Sequence, residues 1–133
     1  TGAVIEGVNG GGGGVYFTVN LAGTVDTDGL FVVSESAADV SGTDLEQATL
    51  NLQNGPDSIV LRDSCGNVLD AMGYGTFAAG DVFAGEGTAV AVSPEGQTLS
   101  RCPGLPADID TDDNSADFLP TSPTPGAANP ACT

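Results

Sequence analysis

Six oxygen-bearing side chains crowd one short stretch of the chain: Asp108, Asp110, Asp112, Asp113, Asn114 and Asp117. Asp108, Asp110 and Asp112 alternate as the first, third and fifth ligands of a calcium loop do, and carboxylate and amide oxygens are what a hard divalent cation takes. Asp113 and Leu119 stand where such a loop needs a glycine at the sixth position and a bidentate acid at the twelfth. An EF-hand is therefore excluded, while a looser calcium site built from the six residues stays open. So does a structural reading, in which Asp112 or Asp113 caps a short helix and the remaining acids accept backbone donors or meet Arg101.

The rest of the catalytic inventory is thin. The 133 residues contain no His and no Lys, so no imidazole can act as base or metal ligand and no amine can form a Schiff base. A Ser or Cys nucleophile has no evident activator, and nothing in the spacing places two carboxylates in a defined pocket. These absences predict a non-enzyme that requires no cofactor, with calcium as the one candidate ligand.

Charge narrows the partners. Eighteen acidic residues stand against Arg62 and Arg101 alone, a formal net charge of -16. Such a surface repels nucleic acid and anionic lipid and attracts cations, and no apolar run is long enough for membrane insertion. Arg62 and Arg101 read as structural counter-ions. Three scattered cysteines, Cys65, Cys102 and Cys132, do not fit a zinc site. One disulfide and one odd thiol is the simplest arithmetic, three buried free thiols the alternative. Cys102 with Cys132 would close the tail onto the domain, worth ~2 to 4 kcal/mol; Cys65 with Cys102 would staple two strand ends. The composition favours an oxidising location, extracellular or at a cell surface. The chain starts at Thr1 rather than Met, which predicts a processed or excised product. No N-x-[ST] acceptor is present.

The elements that must position these residues are short strands. Asp57 to Tyr74 reads as a hairpin, with Ile59, Val60 and Leu61 going out and Val68, Leu69, Ala71 and Met72 returning around a turn at Asp63 to Asn67. Gly2 to Val8 and Val15 to Asn20 read as a second hairpin across the tract Gly10 to Gly14, with Val15, Phe17 and Val19 alternating against Tyr16, Thr18 and Asn20. Further strands are expected at Leu30 to Ser34, Ala48 to Gln53, Thr88 to Val92 and Thr98 to Cys102, and Ser36 to Glu46 reads as a surface loop. Phe77 and Phe83 should pin the long loop from Gly73 to Gly87 to the core. Five prolines between Pro103 and Pro125 leave room for one helical turn at Asp113 to Phe118 and otherwise an irregular tail. The pattern is that of an all-β, immunoglobulin-like sandwich or barrel, one domain over residues 1–133.

Two segments carry a resemblance. QNGPDSIVLRDSCGNVLDAMGYG, followed by GEG at Gly85 to Gly87, L-S-R at Leu99 to Arg101, the DTDDNSADF run and a closing P-T-P-G-A-A-N, is similar to the lamin-tail domain of secreted bacterial proteins. That resemblance implies an immunoglobulin-like β-sandwich that serves as a structural or interaction module. It also implies that the two strands with which such domains usually open are missing here, leaving edge groups and apolar side chains uncovered. The acidic run, in the family, looks like a structural clasp.

The missing strands motivate the expected function: a secreted, non-catalytic structural subunit whose copies assemble into an extracellular or surface fibre by strand pairing. Thr1, Gly2, Ala3, Val4, Ile5, Glu6, Gly7 and Val8, short, apolar and followed by glycines, could reach into a neighbouring copy; they could equally be a strand of their own sheet. The alternative function is a protein- or glycan-binding adhesion module excised from a larger protein, weakened by having only Tyr16 and Tyr74 as tyrosines and no Trp.

Overall fold

The structure, a computed structural model, describes residues 2–101 and 110–130. The chain is all-β, with mostly antiparallel strands and a single turn of helix. A four-stranded antiparallel sheet of order β2-β1-β5-β6 forms its centre, from β1 (Val4–Asn9), β2 (Val15–Asn20), β5 (Asp57–Arg62) and β6 (Val68–Tyr74). Between them lie β3 (Val33–Ser34) and β4 (Leu45–Glu46), a two-residue parallel pair. An antiparallel ribbon of β7 (Thr98–Arg101) and β8 (Phe118–Thr121) follows, the latter preceded by α1 (Asn114–Asp117).

Both expected hairpins form. The β5–β6 turn is built on Asp63, whose carboxylate accepts from the Cys65 and Asn67 amides and from the Asn67 side chain, each at 2.8 Å. Those bonds, the Asn67 side chain foremost, hold the Asp63 carboxyl below its ordinary range. Cys65 sits exposed at this tip with no disulfide partner among the described residues; Cys102 and Cys132, and with them the disulfide pairing, lie outside those residues.

Register sorts the sheet into two faces, because residues directly opposite one another share a side. Val8, Val60 and Ala71 cluster on one face with Ala84 packed against them. The Phe77–Phe83 pair, edge to face with centroids 5.0 Å apart, covers the same side, with Phe83 over Gly73 and Phe77 over Gly10. Phe77 and Phe83 therefore do pin the loop. The other face carries Phe17, Val19, Ile59, Met72 and Tyr74.

Several expectations are corrected. The alternation of β2 breaks at Tyr16: the partner of Gly7 is Phe17 and that of Val8 is Val15, so Tyr16 is an extra residue in a bulge. A bulge of this type turns two successive side chains to one face. Tyr16 and Phe17 both lie over Gly7, where any Cβ would collide with them, and Val15 is left 52% exposed. The strand expected at Ala48 to Gln53 is absent; a turn closed by Leu50 N donating to Gln47 O occupies its start, and Leu52 is 53% exposed. Strand pairing falls instead on Leu45 and Glu46, inside the segment read as loop. Of Thr88 to Val92 only Val90 pairs, with Tyr74. Part of the tail is regular, since β8 pairs with β7 through Leu99 opposite Pro120.

Gly2 to Val8 do not extend toward a neighbour. β1 is an interior strand held between β2 and β5, so the N-terminal segment completes its own sheet. Thr1 lies outside the described residues.

Candidate functional site

The acidic run is drawn apart by its hydrogen bonds. Asp113 caps α1, accepting from the Ser115 amide at 3.1 Å and hydroxyl at 2.8 Å and from the Thr88 amide at 3.2 Å. These bonds keep its carboxyl low. Asp112 carries a positive φ of 55°, a conformation Asp tolerates better than most residues, and its amide donates to Asp110. Asp117 is buried, accepting from the Thr111 amide at 3.0 Å and hydroxyl at 2.6 Å. Asp108 lies outside the described residues. Among the described residues, the other five therefore do not converge on one point.

Asn114 has no solvent exposure. Its Oδ1 accepts from the Gly73 amide at 2.7 Å and the Glu86 amide at 2.9 Å, while its Nδ2 donates to the Ala71 carbonyl at 2.8 Å. The side chain thus imitates a neighbouring strand along β6. Val90 continues that edge, donating to Gly73 O and accepting from Gly75 N. Gly85 is confined beneath this amide, because a Cβ there would strike the Gly73 nitrogen and Asn114 Oδ1.

Arg101 is the hub of a different cluster. Its guanidinium reaches both oxygens of Asp70 at 3.0 Å, Asp110 at 3.2 Å and Asp117 at 3.5 Å, and lies 4.7 Å from the centre of the Phe118 ring. Backbone donation from Asp112, then contact with Arg101, lowers the Asp110 carboxyl. Oxygens of Asp70, Glu86 and Asp110 come within 4.8 Å of one another. This trio is the one place among the described residues where three acidic groups could share a cation, with Arg101 already neutralising two of them. Asp70 and Glu86 are far from the acidic run in the chain, so no local spacing could have pointed to them.

Glu86 is the unsatisfied member: its Oε2 is buried without a hydrogen-bond partner. Burial, then the charges of Asp110 and Asp70, raise its pKa. An acid raised in the folded state binds its proton more readily there than in the unfolded chain, so it adds stability as pH falls toward its unfolded value. The lowered acids Asp63, Asp110 and Asp113 act oppositely, adding stability above their unfolded value of 3.8 and losing it below. Glu86→Gln should accordingly raise the urea midpoint at pH 7 and flatten the gain between pH 7 and 5, with both proteins losing stability below pH 4. An unchanged slope between pH 7 and 5 would remove Glu86 as its source.

The second feature is the opposite edge of the sheet. Leu21 N donates to Ala3 O at 2.9 Å, and with the β1–β2 register this turns Phe17 and Val19 toward β1 and Thr18 and Asn20 outward. Among the described residues, nothing hydrogen-bonds to the outward backbone of Thr18 or Asn20. A third feature is an uncharged cleft of about 360 Å³ lined by Leu52, Ile59, Met72, Tyr74, Val92 and Leu99, among others. Beside the apolar layer, the Tyr74 hydroxyl donates to Gln53 O, and its burial raises its pKa.

No family model, no curated protein and no solved structure matches the chain. No helix among the described residues is long and apolar enough to cross a membrane.

Proposed function

We propose that the protein is a secreted, non-catalytic structural subunit of lamin-tail type, with an immunoglobulin-like sandwich whose copies assemble outside the cell by strand pairing. The observation that carries this reading is the edge of β2, which is open and holds no charge and no proline. Soluble β-proteins protect such edges with lysines, prolines, inward charges or covering loops. β6 is protected in this way and β2 is not. Strand addition at a bare edge is a recurrent mode of protein association, in which backbone bonds supply the affinity.

Assembly must overcome repulsion between copies of charge -16. Salt shortens the reach of that repulsion to ~8 Å at 0.15 M. The mean mass by light scattering should therefore rise between 0.02 and 0.5 M NaCl, with extended particles by electron microscopy. Assemblies that survive chelation support strand contacts as the principal joint; assemblies that dissolve on chelation overturn that and transfer the joint to the acidic groups. A chain that stays monomeric at millimolar concentration in all these conditions overturns the reading.

The uncharged cleft favours a second reading, a module that binds an extended apolar segment of another protein. Leu52 and Val92 in its lining are about half exposed, and Ile59 and Met72 give it an apolar wall.

A further inference from the structure

We infer that β2 pairs antiparallel with β2 of a second copy about a two-fold axis, so that the strand joint closes as a dimer with one continuous eight-stranded sheet. This rests on the self-assembly reading and specifies its contact. The four-stranded sheet has two edges, and among the described residues the Ala71 to Gly75 stretch of the β6 edge is blocked while the Thr18 and Asn20 backbone of β2 is open. Along β6, Ala71 O and Gly73 N are occupied by the Asn114 amide, and Gly73 O and Gly75 N by Val90. A head-to-tail strand contact within this sheet would need a second, unblocked edge, and the blocked stretch of β6 favours the isologous contact of β2 with itself.

The edge suits a copy of itself. Thr18 and Asn20 each turn a donor and an acceptor outward, and antiparallel pairing about a two-fold axis matches donors to acceptors without a second kind of strand. Their side chains are exposed, short and uncharged, and cross-strand pairs of this kind are compatible with close approach. On the other face Phe17 and Val19 are buried, so the joint would carry the apolar layer across the axis. The bulge is confined to Tyr16, before these residues.

Electrostatics point the same way. Glu6 is the β1 residue opposite Thr18. Its carboxylate is paired with Arg62 of β5 at 2.8 Å, so this acid on the strand next to β2 already has a counter-ion. Growth beyond the dimer then passes through another surface.

The test combines sedimentation equilibrium with amide exchange on the full chain in 0.15 and 0.5 M NaCl. The expected species has twice the 13.1 kDa chain mass, with the Thr18 and Asn20 amides protected in the dimer and fast-exchanging after dilution. Thr18→Pro, which removes an outward donor, and Thr18→Asp, which faces like charges across the axis, should each weaken dimerisation at least tenfold while circular dichroism stays unchanged. A dimer with fast-exchanging Thr18 and Asn20 amides overturns the joint and leaves self-assembly standing. Open-ended growth with those amides protected and no dimer plateau overturns the two-fold symmetry. A monomer in every condition overturns both, leaving the edge to a strand from another protein.

Discussion

Asn114→Leu is expected to lower the melting temperature by roughly 12 °C. The substitution keeps the volume but strands two buried or half-buried amides, of Gly73 and Glu86, and the Ala71 carbonyl. An orphaned buried group costs about 1 to 3 kcal/mol. With partial relaxation at the more accessible Glu86 amide, a total of about 4 kcal/mol is expected, at roughly 3 °C per kcal/mol for a chain of this size. Asn114→Asp discriminates the mechanism. At pH 7 it sets a carboxylate against the Ala71 carbonyl with no exposure to water, and should be as damaging as Leu. Its folded-state pKa must then be raised, so stability should recover as pH falls and the protonated acid regains a donor for Ala71 O. Thermal melts at pH 7 and 5 read both effects. A parent-like melt for Asn114→Leu would mean that the β6 edge is held by something other than this amide.

Arg101→Met should cost about 3 kcal/mol at pH 7. The contribution is unequal among its partners. Asp70 and Asp110 have side chains 43% and 41% exposed, and solvent-screened pairs of that kind are worth little singly. Asp117 is 2% exposed, and removing its cation leaves a buried charge supported only by Thr111. That asymmetry predicts that Asp117→Asn recovers more of the loss in the Arg101→Met background than Asp70→Asn does, which denaturant melts of the two double variants would show. Arg101→Lys should fall between parent and Met, since an ammonium cannot reproduce the forked contacts to Asp70 and Asp110. The deficit of Arg101→Met should shrink as pH falls below 3.8, because Asp110, held low in part by Arg101, stabilises the parent above that value and loses the contribution below it. Equal recovery from both double variants would show that the cluster acts through its total charge and not through the buried acid.

The two substitutions probe one construction. Asn114 closes part of the β6 edge and Arg101 ties β6, at Asp70, to the end of β7. Together they leave β2 as the open side of the sheet. Loosening the clasp is thus a change at the far edge from the proposed joint, and neither variant touches Thr18 or Asn20.

Features set by neighbours in the chain were legible in the sequence. The hairpin turn from Asp63 to Asn67, the return strand to Tyr74, the β1–β2 hairpin, the aromatic anchors Phe77 and Phe83 and the Asp113 cap each depend on contacts a few residues apart or on a short apolar pattern. The all-β class follows from them. What the tertiary structure alone decided are the pairings between distant segments. Asn114 meets β6 across more than forty residues and Arg101 meets Asp70 across thirty-one, and no local period encodes either. The acidic run read as a row of ligands because its spacing was regular; folding turned Asp113 to the Ser115 and Thr88 amides and Asp117 to Thr111, while Asp110 met Arg101. Likewise the bulge at Tyr16 reversed Val15 and Tyr16, since a one-residue slip exchanges the faces of a strand. Whether a strand lies inside a sheet or at its edge is settled by what packs beside it. That is why the N-terminal segment, apolar in sequence, proved interior, and why the open edge fell to β2.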